Sequence, residues 1–241
     1  MIIDMHRHMW SASERYHEIF EDVPGFTDSI KQELDWRITT DSIVEEMDES
    51  EVNLSVVIVA DFESKFGPAP FTIEKENLFV VKAFNKYPDR IVPFYGIDPR
   101  RPGAAKKFEK AIKDHGIRGL KLHSAVGFSP YDESCYPLYE LCISNRLPVL
   151  FHCGLAFHPL LYNRFTHPLE FDQVATDFPT LNMILGHAGH DWWADAVAIA
   201  KNHPNVFLEM SEWQPTFTEN NEEFLRAIFT MCSALGSNRI I

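Results

Sequence analysis

Apolar residues in this chain gather in short, nearly continuous runs rather than in strict alternation with polar ones. Seven such runs are MIIDMH (1–6), LSVVIVA (54–60), IVPFYGI (91–97), IRGLKLH (117–123), LPVLFHC (147–153), LNMILGH (181–187) and NVFLEMS (205–211). An eighth, NRII (238–241), begins at the last residues of the sequence. Runs that are apolar at successive positions predict strands covered on both faces, the signature of a parallel sheet. Amphipathic stretches separate them: 39–50, 76–88, 103–116, 134–146, 168–179, 192–204 and 220–236. Thr40 or Asp41 is the expected cap of the first, Pro88 ends the second, and Gly116 closes the third.

Strand then alternates with helix along the chain, which implies βα units and a parallel sheet. Eight strands with seven intervening helices favour a closed α/β barrel, the (β/α)8 TIM barrel of ~250 residues, as a single domain over residues 1–241. No G-x-G-x-x-G follows the first strand, which disfavours a dinucleotide fold. Residues 9–38 form the longest insertion, placed after strand one on the side where barrel active sites form.

Charge narrows the partners. With 35 acidic and 22 basic residues the net charge is −13, which argues against nucleic acid and against an anionic membrane surface. A small molecule held by local cations remains open. The four cysteines, Cys135, Cys142, Cys153 and Cys232, show no CxxC spacing and read as reduced thiols. No signal peptide and no ~20-residue apolar span is visible, so a cytoplasmic location is expected.

The chemistry is written at strand ends. His6 and His8 share one face of the first strand, together with Asp4. Two imidazoles on one face supply half of a tetrahedral metal site, although a lone HxH is equally a pair of exposed histidines. Lys121 and His123 end strand four, His152 ends strand five and His187 ends strand six. Core packing does not account for polar residues at one end of four strands. His17, His115, His158, His167 and His203 lie elsewhere and read as ordinary histidines. Glu209 and Ser211 share a face at the end of strand seven, where they line the same mouth or Glu209 pairs with a base. Asp4 reads as a structural hydrogen-bond partner, with support of a ligand histidine as the alternative. Cys153, next to His152, points away from the site. Trp10, Phe62, Phe128, Phe157, Trp192, Trp193 and Trp213 follow strand ends. They either form an apolar pocket for a ring-bearing substrate, or cover loops and meet a second copy in a homodimer.

The motifs IDMHRH (3–8), GLKLH (119–123), PVLFHCG (148–154) and LGHAG (185–189) resemble those of the amidohydrolase superfamily. The resemblance is to the amidohydrolase-related group that includes aminocarboxymuconate semialdehyde decarboxylase, and it covers nearly the whole chain. It implies a distorted (β/α)8 barrel with a divalent metal, usually zinc. His6, His8 and His152 would be ligands, and His187 would stand beside the bound water or substrate. Lys121 is open to three roles: a carboxylated metal bridge, a cation lining the site, or half of an ion pair; the site-lining cation is favoured. His123, Trp10 and Trp213 are expected to contact substrate.

The family's eighth strand normally ends in a Gly-Ser-Asp turn whose aspartate binds metal or acts as base. Here the last residues are SNRII, so the expectation is a barrel missing the end of strand eight and the last helix. Two enzymatic readings follow: a metal-dependent hydrolase in which an activated water attacks a carbonyl-type bond, or a non-oxidative decarboxylase of an aromatic or unsaturated acid. A third is an inactive or structural metal-binding fragment. Structural zinc sites close with four ligands and favour cysteine, which weakens that third reading.

Overall fold

A computed structural model of the chain describes residues 1–9, 39–67, 72–156, 158–213 and 218–241. Most of the 9–38 insertion, with Trp10 and His17, and also Phe157, lie outside the described residues. The chain divides into two compact units: Met1–Lys121 with Phe157–Leu161, and Leu122–Ala156 with Tyr162–Ile241.

The first unit alternates strand and helix. Its elements are β1 (Ile3–His8), α1 (Thr40–Glu49), β2 (Leu54–Ile58), α2 (Glu63–Phe66), α3 (Ile73–Lys86), β3 (Ile91–Gly96) and α4 (Ala104–His115). β4 (Gly119–Leu122) follows, and its last residue opens the second unit. β1 pairs with β2, β2 with β3 and β3 with β4, all parallel.

Local chemistry sets the helix ends. The cap of α1 is Thr39, ahead of both expected positions, Thr40 and Asp41. Thr39 Oγ1 accepts from the Ser42 N–H at 3.0 Å and Ser42 Oγ accepts from the Thr39 N–H at 2.8 Å, a reciprocal capping box. α3 starts at Ile73, ahead of the apolar run that marks it in the sequence, because the extended Thr72 accepts from the Lys75 N–H. α4 closes on Gly116 in the left-handed conformation, as expected. The short helix α2 carries too little periodicity to be read from sequence.

Met9, Ile43, Met47, Val57, Val80 and Ile91 form the core between these helices and strands. The Asn77 amide, buried in α3, ties that helix to β3. Its Nδ2 donates to the carbonyls of Ile73 (2.9 Å) and Gly96 (2.8 Å), and its Oδ1 accepts from the Gly96 N–H at 2.9 Å. Glycine is required at 96, since a Cβ there would stand 1.9 Å from the Val59 carbonyl oxygen.

The second unit holds α5 (Tyr136–Asn145), β5 (Val149–Phe151), α6 (Asp172–Asp177), β6 (Met183–Leu185), α7 (Trp193–Asn202), β7 (Val206–Leu208) and α8 (Asn221–Leu235). The His152 N–H donates to the Leu122 carbonyl at 3.0 Å. β5 pairs with β6 and β6 with β7, again parallel. Leu208 bridges Ile240 in parallel, which is where an eighth strand starts. The stretch 168–179 is split: a 3-10 turn over Pro168–Phe171, entered through His167, precedes the short α6. Tyr139, Phe151, Phe171 and Phe178 pack ring to ring, and the Tyr139 hydroxyl donates to the Pro130 carbonyl at 2.6 Å. All four cysteines are free thiols, and Cys135, Cys142 and Cys153 are buried. Burial pushes the Cys142 thiol well above its ordinary range. Among the described residues no helix is long and apolar enough to cross a membrane.

Removing the Asn77 amide takes the side-chain partner from both the carbonyl and the N–H of Gly96 inside the fold. Asn77→Ala is therefore expected to destabilise the protein by about 2–4 kcal/mol, read as a lower urea midpoint. An unchanged midpoint would show that the amide is not holding α3 to β3.

Candidate functional site

In the first unit the candidate residues sit at the C-terminal ends of the strands. The register of β1 against β2 shifts between Asp4 and Arg7. Asp4 spans the irregularity: Oδ1 accepts from the His6 N–H at 3.0 Å and Oδ2 from the Ser55 hydroxyl at 3.1 Å. Asp4 thus acts as a structural partner. The His6 and His8 rings lie on one face with centroids 5.3 Å apart, while Arg7, between them, pairs with Glu46. Lys121, only 1% exposed, brings its Nζ to 3.3 Å from His6 Nε2.

Two buried aspartates stand at the next strand ends. Asp61 Oδ2 accepts from the Asp98 N–H at 2.8 Å, and Arg101 clamps Asp61 at 2.5 and 2.7 Å while reaching Glu63 at 2.6 Å. Those carboxylates raise the Arg101 pKa further above its ordinary value. Arg100 holds Asp98 in a fork of 2.9 and 2.6 Å. Burial pushes the Asp98 carboxyl up, but the Arg100 guanidinium and backbone N–H outweigh it and hold it below the usual carboxylate range. Asp61, Asp98 and Arg101 follow apolar runs in the sequence as His152 and His187 do, so the same signal marks them.

The second unit gathers the remaining histidines. His123 and His152 stack with centroids 4.1 Å apart and planes 13° from parallel. His152 Nδ1 lies 3.1 Å from His187 Nε2. His187, buried, is presented by a turn that leaves β6 through four residues of positive φ: His187 (58°), Ala188 (47°), Gly189 (78°) and His190 (46°). Three are not glycine, so the turn stores about 1–3 kcal/mol at each. It is held in place by Glu209, whose Oε2 accepts from the His187 N–H at 3.2 Å, and by Trp213, whose indole N–H donates to the His187 carbonyl at 2.8 Å. A Cβ on Gly154 would stand 3.2 Å from that of His190, so the β5 loop also closes tightly on this turn. Glu209 accepts from the Ser211 N–H at 2.5 Å and from the Ser211 hydroxyl at 2.8 Å.

The structure thus brings His6, His8 and Lys121 together in the first unit, and His123, His152, His187, Glu209 and Ser211 in the second. Trp213 is buried, with its N–H spent on the His187 backbone. Trp193 instead donates to Glu223 at 2.8 Å. His203 pairs with Asp172 at 2.8 Å, and His158 packs on Phe66, in keeping with their reading as ordinary histidines.

The amidohydrolase family profile matches residues 3–241, and the chain belongs to that family. No curated protein matches it in sequence. Among solved structures it is similar to an uncharacterized TIM-barrel protein from Bordetella bronchiseptica, at 21% identity and a TM-score of 0.69, over 100% of this chain and 84% of that one. It is similar to 5-carboxyvanillate decarboxylase from Novosphingobium aromaticivorans, complexed with manganese and 4-hydroxy-3-methoxy-5-nitrobenzoic acid, at 13% identity and a TM-score of 0.71, over 100% and 84%. A third is a probable 2-pyrone-4,6-dicarboxylic acid hydrolase from Acinetobacter baumannii, at 14% identity and a TM-score of 0.64, over 100% and 82%. These likenesses show the fold: an α/β TIM barrel, of which the described residues form seven strands and the start of an eighth.

The depressed Asp98 carboxyl makes an acid-stability prediction. A carboxyl held below its ordinary 3.8 stabilises the fold above that pH, and the stabilisation is lost as pH falls through the folded-state value. Asp98→Asn should therefore unfold at lower urea than the parent at pH 6, with the gap narrowing below pH 3.8. A gap independent of pH would show that the Arg100–Asp98 pair contributes nothing through charge.

Proposed function

We propose that the chain, as one domain over 1–241, is a metal-dependent hydrolase acting on a carbonyl-type bond of a small molecule. The observation that carries this reading is the pair of imidazoles on one face of β1, His6 and His8, within a chain of the amidohydrolase family. Their donor chemistry fits a divalent cation: neutral nitrogens whose ring centroids, 5.3 Å apart, allow ~2.0–2.1 Å bonds to one shared ion. When bound, such an ion, zinc in the first instance, supplies Lewis acidity and a water whose pKa falls to ~7.

The chain's own residues do the rest. His6 and His8 hold the ion, and His152 is the proposed third ligand. His187 orients the attacking water and takes or returns a proton at its ring, the task for which an imidazole is suited near neutral pH. Lys121 offers a positive N–H donor to a substrate carboxylate or to charge that develops during attack. His123, Trp10 and Trp213 are the proposed substrate contacts. Net charge −13 supports a small-molecule partner rather than nucleic acid or membrane. A cytoplasmic location and a homodimer complete the proposal.

A carboxy-lyase acting on an aromatic acid is the second reading. The likeness to a decarboxylase crystallised with manganese and an aromatic carboxylate favours it. Release of carbon dioxide from an aromatic acid without net hydrolysis would select it over the first.

Joint replacement of His6 and His8 by alanine tests both readings. After stripping and reloading with zinc, the parent should retain stoichiometric metal by elemental analysis and the double variant should lose it. Full occupancy in the double variant would overturn the ligand assignment.

A further inference from the structure

The second unit contains a chain of hydrogen bonds that decides which nitrogen of His187 carries its proton. The Glu209 carboxylate, buried to 3% exposure, is surrounded by donors: the His187 N–H, the Ser211 N–H and the Ser211 hydroxyl. A carboxylate only accepts, so the single hydroxyl proton of Ser211 is directed to Glu209 Oε2. Ser211 Oγ then faces His187 Nδ1, at 2.9 Å, with a lone pair. Two further described groups near that nitrogen are also acceptors: the Ser211 carbonyl oxygen at 3.4 Å and the Glu212 carboxylate at 3.5 Å. Three acceptors around one ring nitrogen require it to donate. In neutral His187 the proton therefore sits on Nδ1, and Nε2 presents its lone pair.

The same logic passes one residue further. His187 Nε2 meets His152 Nδ1 at 3.1 Å, so His152 must donate from Nδ1. Its Nε2 is left unprotonated, the state in which an imidazole can ligate a metal.

We propose that Glu209 and Ser211 are positioning residues that fix the tautomers of His187 and, through it, His152. Ser211 passes the polarity of Glu209 to His187 without any net transfer of a proton. Glu209 also accepts from the His187 backbone N–H, so one carboxylate sets both where the ring stands and which of its nitrogens carries the proton. This deepens the hydrolase reading, on which the catalytic value of His187 rests, but the tautomer assignment itself stands on geometry alone.

The test is long-range proton–nitrogen NMR on the histidine-labelled full chain, at a pH where the rings are neutral, with and without zinc. The expected result is that His187 shows a protonated Nδ1 and an unprotonated Nε2 in both samples, and that His152 shows the same in the zinc-free sample. Ser211→Ala should move His187 towards the Nε2–H form, and Ser211→Thr, which keeps the hydroxyl, should restore the parent spectrum. An Nε2–H tautomer in the parent protein would overturn the proposal. So would a His187 tautomer unchanged in Ser211→Ala. The parent spectrum decides the assignment even where a variant fails to fold. Failure of zinc to bind would count against the hydrolase reading while leaving the tautomer result standing.

Discussion

In each unit every strand runs the same way as its neighbours. Parallel pairing in this order forces each strand's last residues to one end, because the chain must return through a helix before the next strand begins. Apolar residues fill the sheet up to that end, and whatever follows them leaves the core together. The polar residues after β2, β3, β5 and β6 are therefore not scattered features. Asp61, Asp98, His152 and His187 are products of one topological constraint, and the helices and their caps serve to keep it.

That constraint alone would place His187 without orienting it. The turn after β6 spends backbone strain to direct the ring, with three non-glycine residues at positive φ, and such a turn persists only where its surroundings over-determine it. Glu209 and Trp213 take the two backbone polar groups of His187, and the absence of a side chain at Gly154 lets the β5 loop close on His190. Trp213 thus braces the turn that carries His187. An Asp4 carboxylate performs a comparable service on β1, where it spans the register shift beneath His6 and His8.

Much of this was legible in the sequence, and particular residues show why. The parallel strands were readable because their runs are apolar at every position, and His6, His8, Lys121, His123, His152 and His187 because they interrupt such runs at one end. Gly116 announced a helix end because only a left-handed residue closes α4 there. The cap at Thr39 was misplaced because Thr39, Thr40 and Asp41 are all capping types, and only the backbone conformation chooses among them. The Asp61–Arg101 and Asp98–Arg100 forks were missed for a related reason: their partners become neighbours through the loops after β2 and β3. The role of Ser211 was not legible at all, since it depends on where a single hydroxyl proton points.

Strand-end imidazoles, not thiols, are the proposed metal ligands of this chain. X-ray absorption at the zinc edge on the reloaded protein tests it most directly. Ligation by histidines gives a nearest shell of nitrogen and oxygen at ~2.0–2.1 Å with the outer scattering pattern of several imidazoles. A sulfur shell at ~2.3 Å, or a spectrum of hydrated zinc alone, would contradict it.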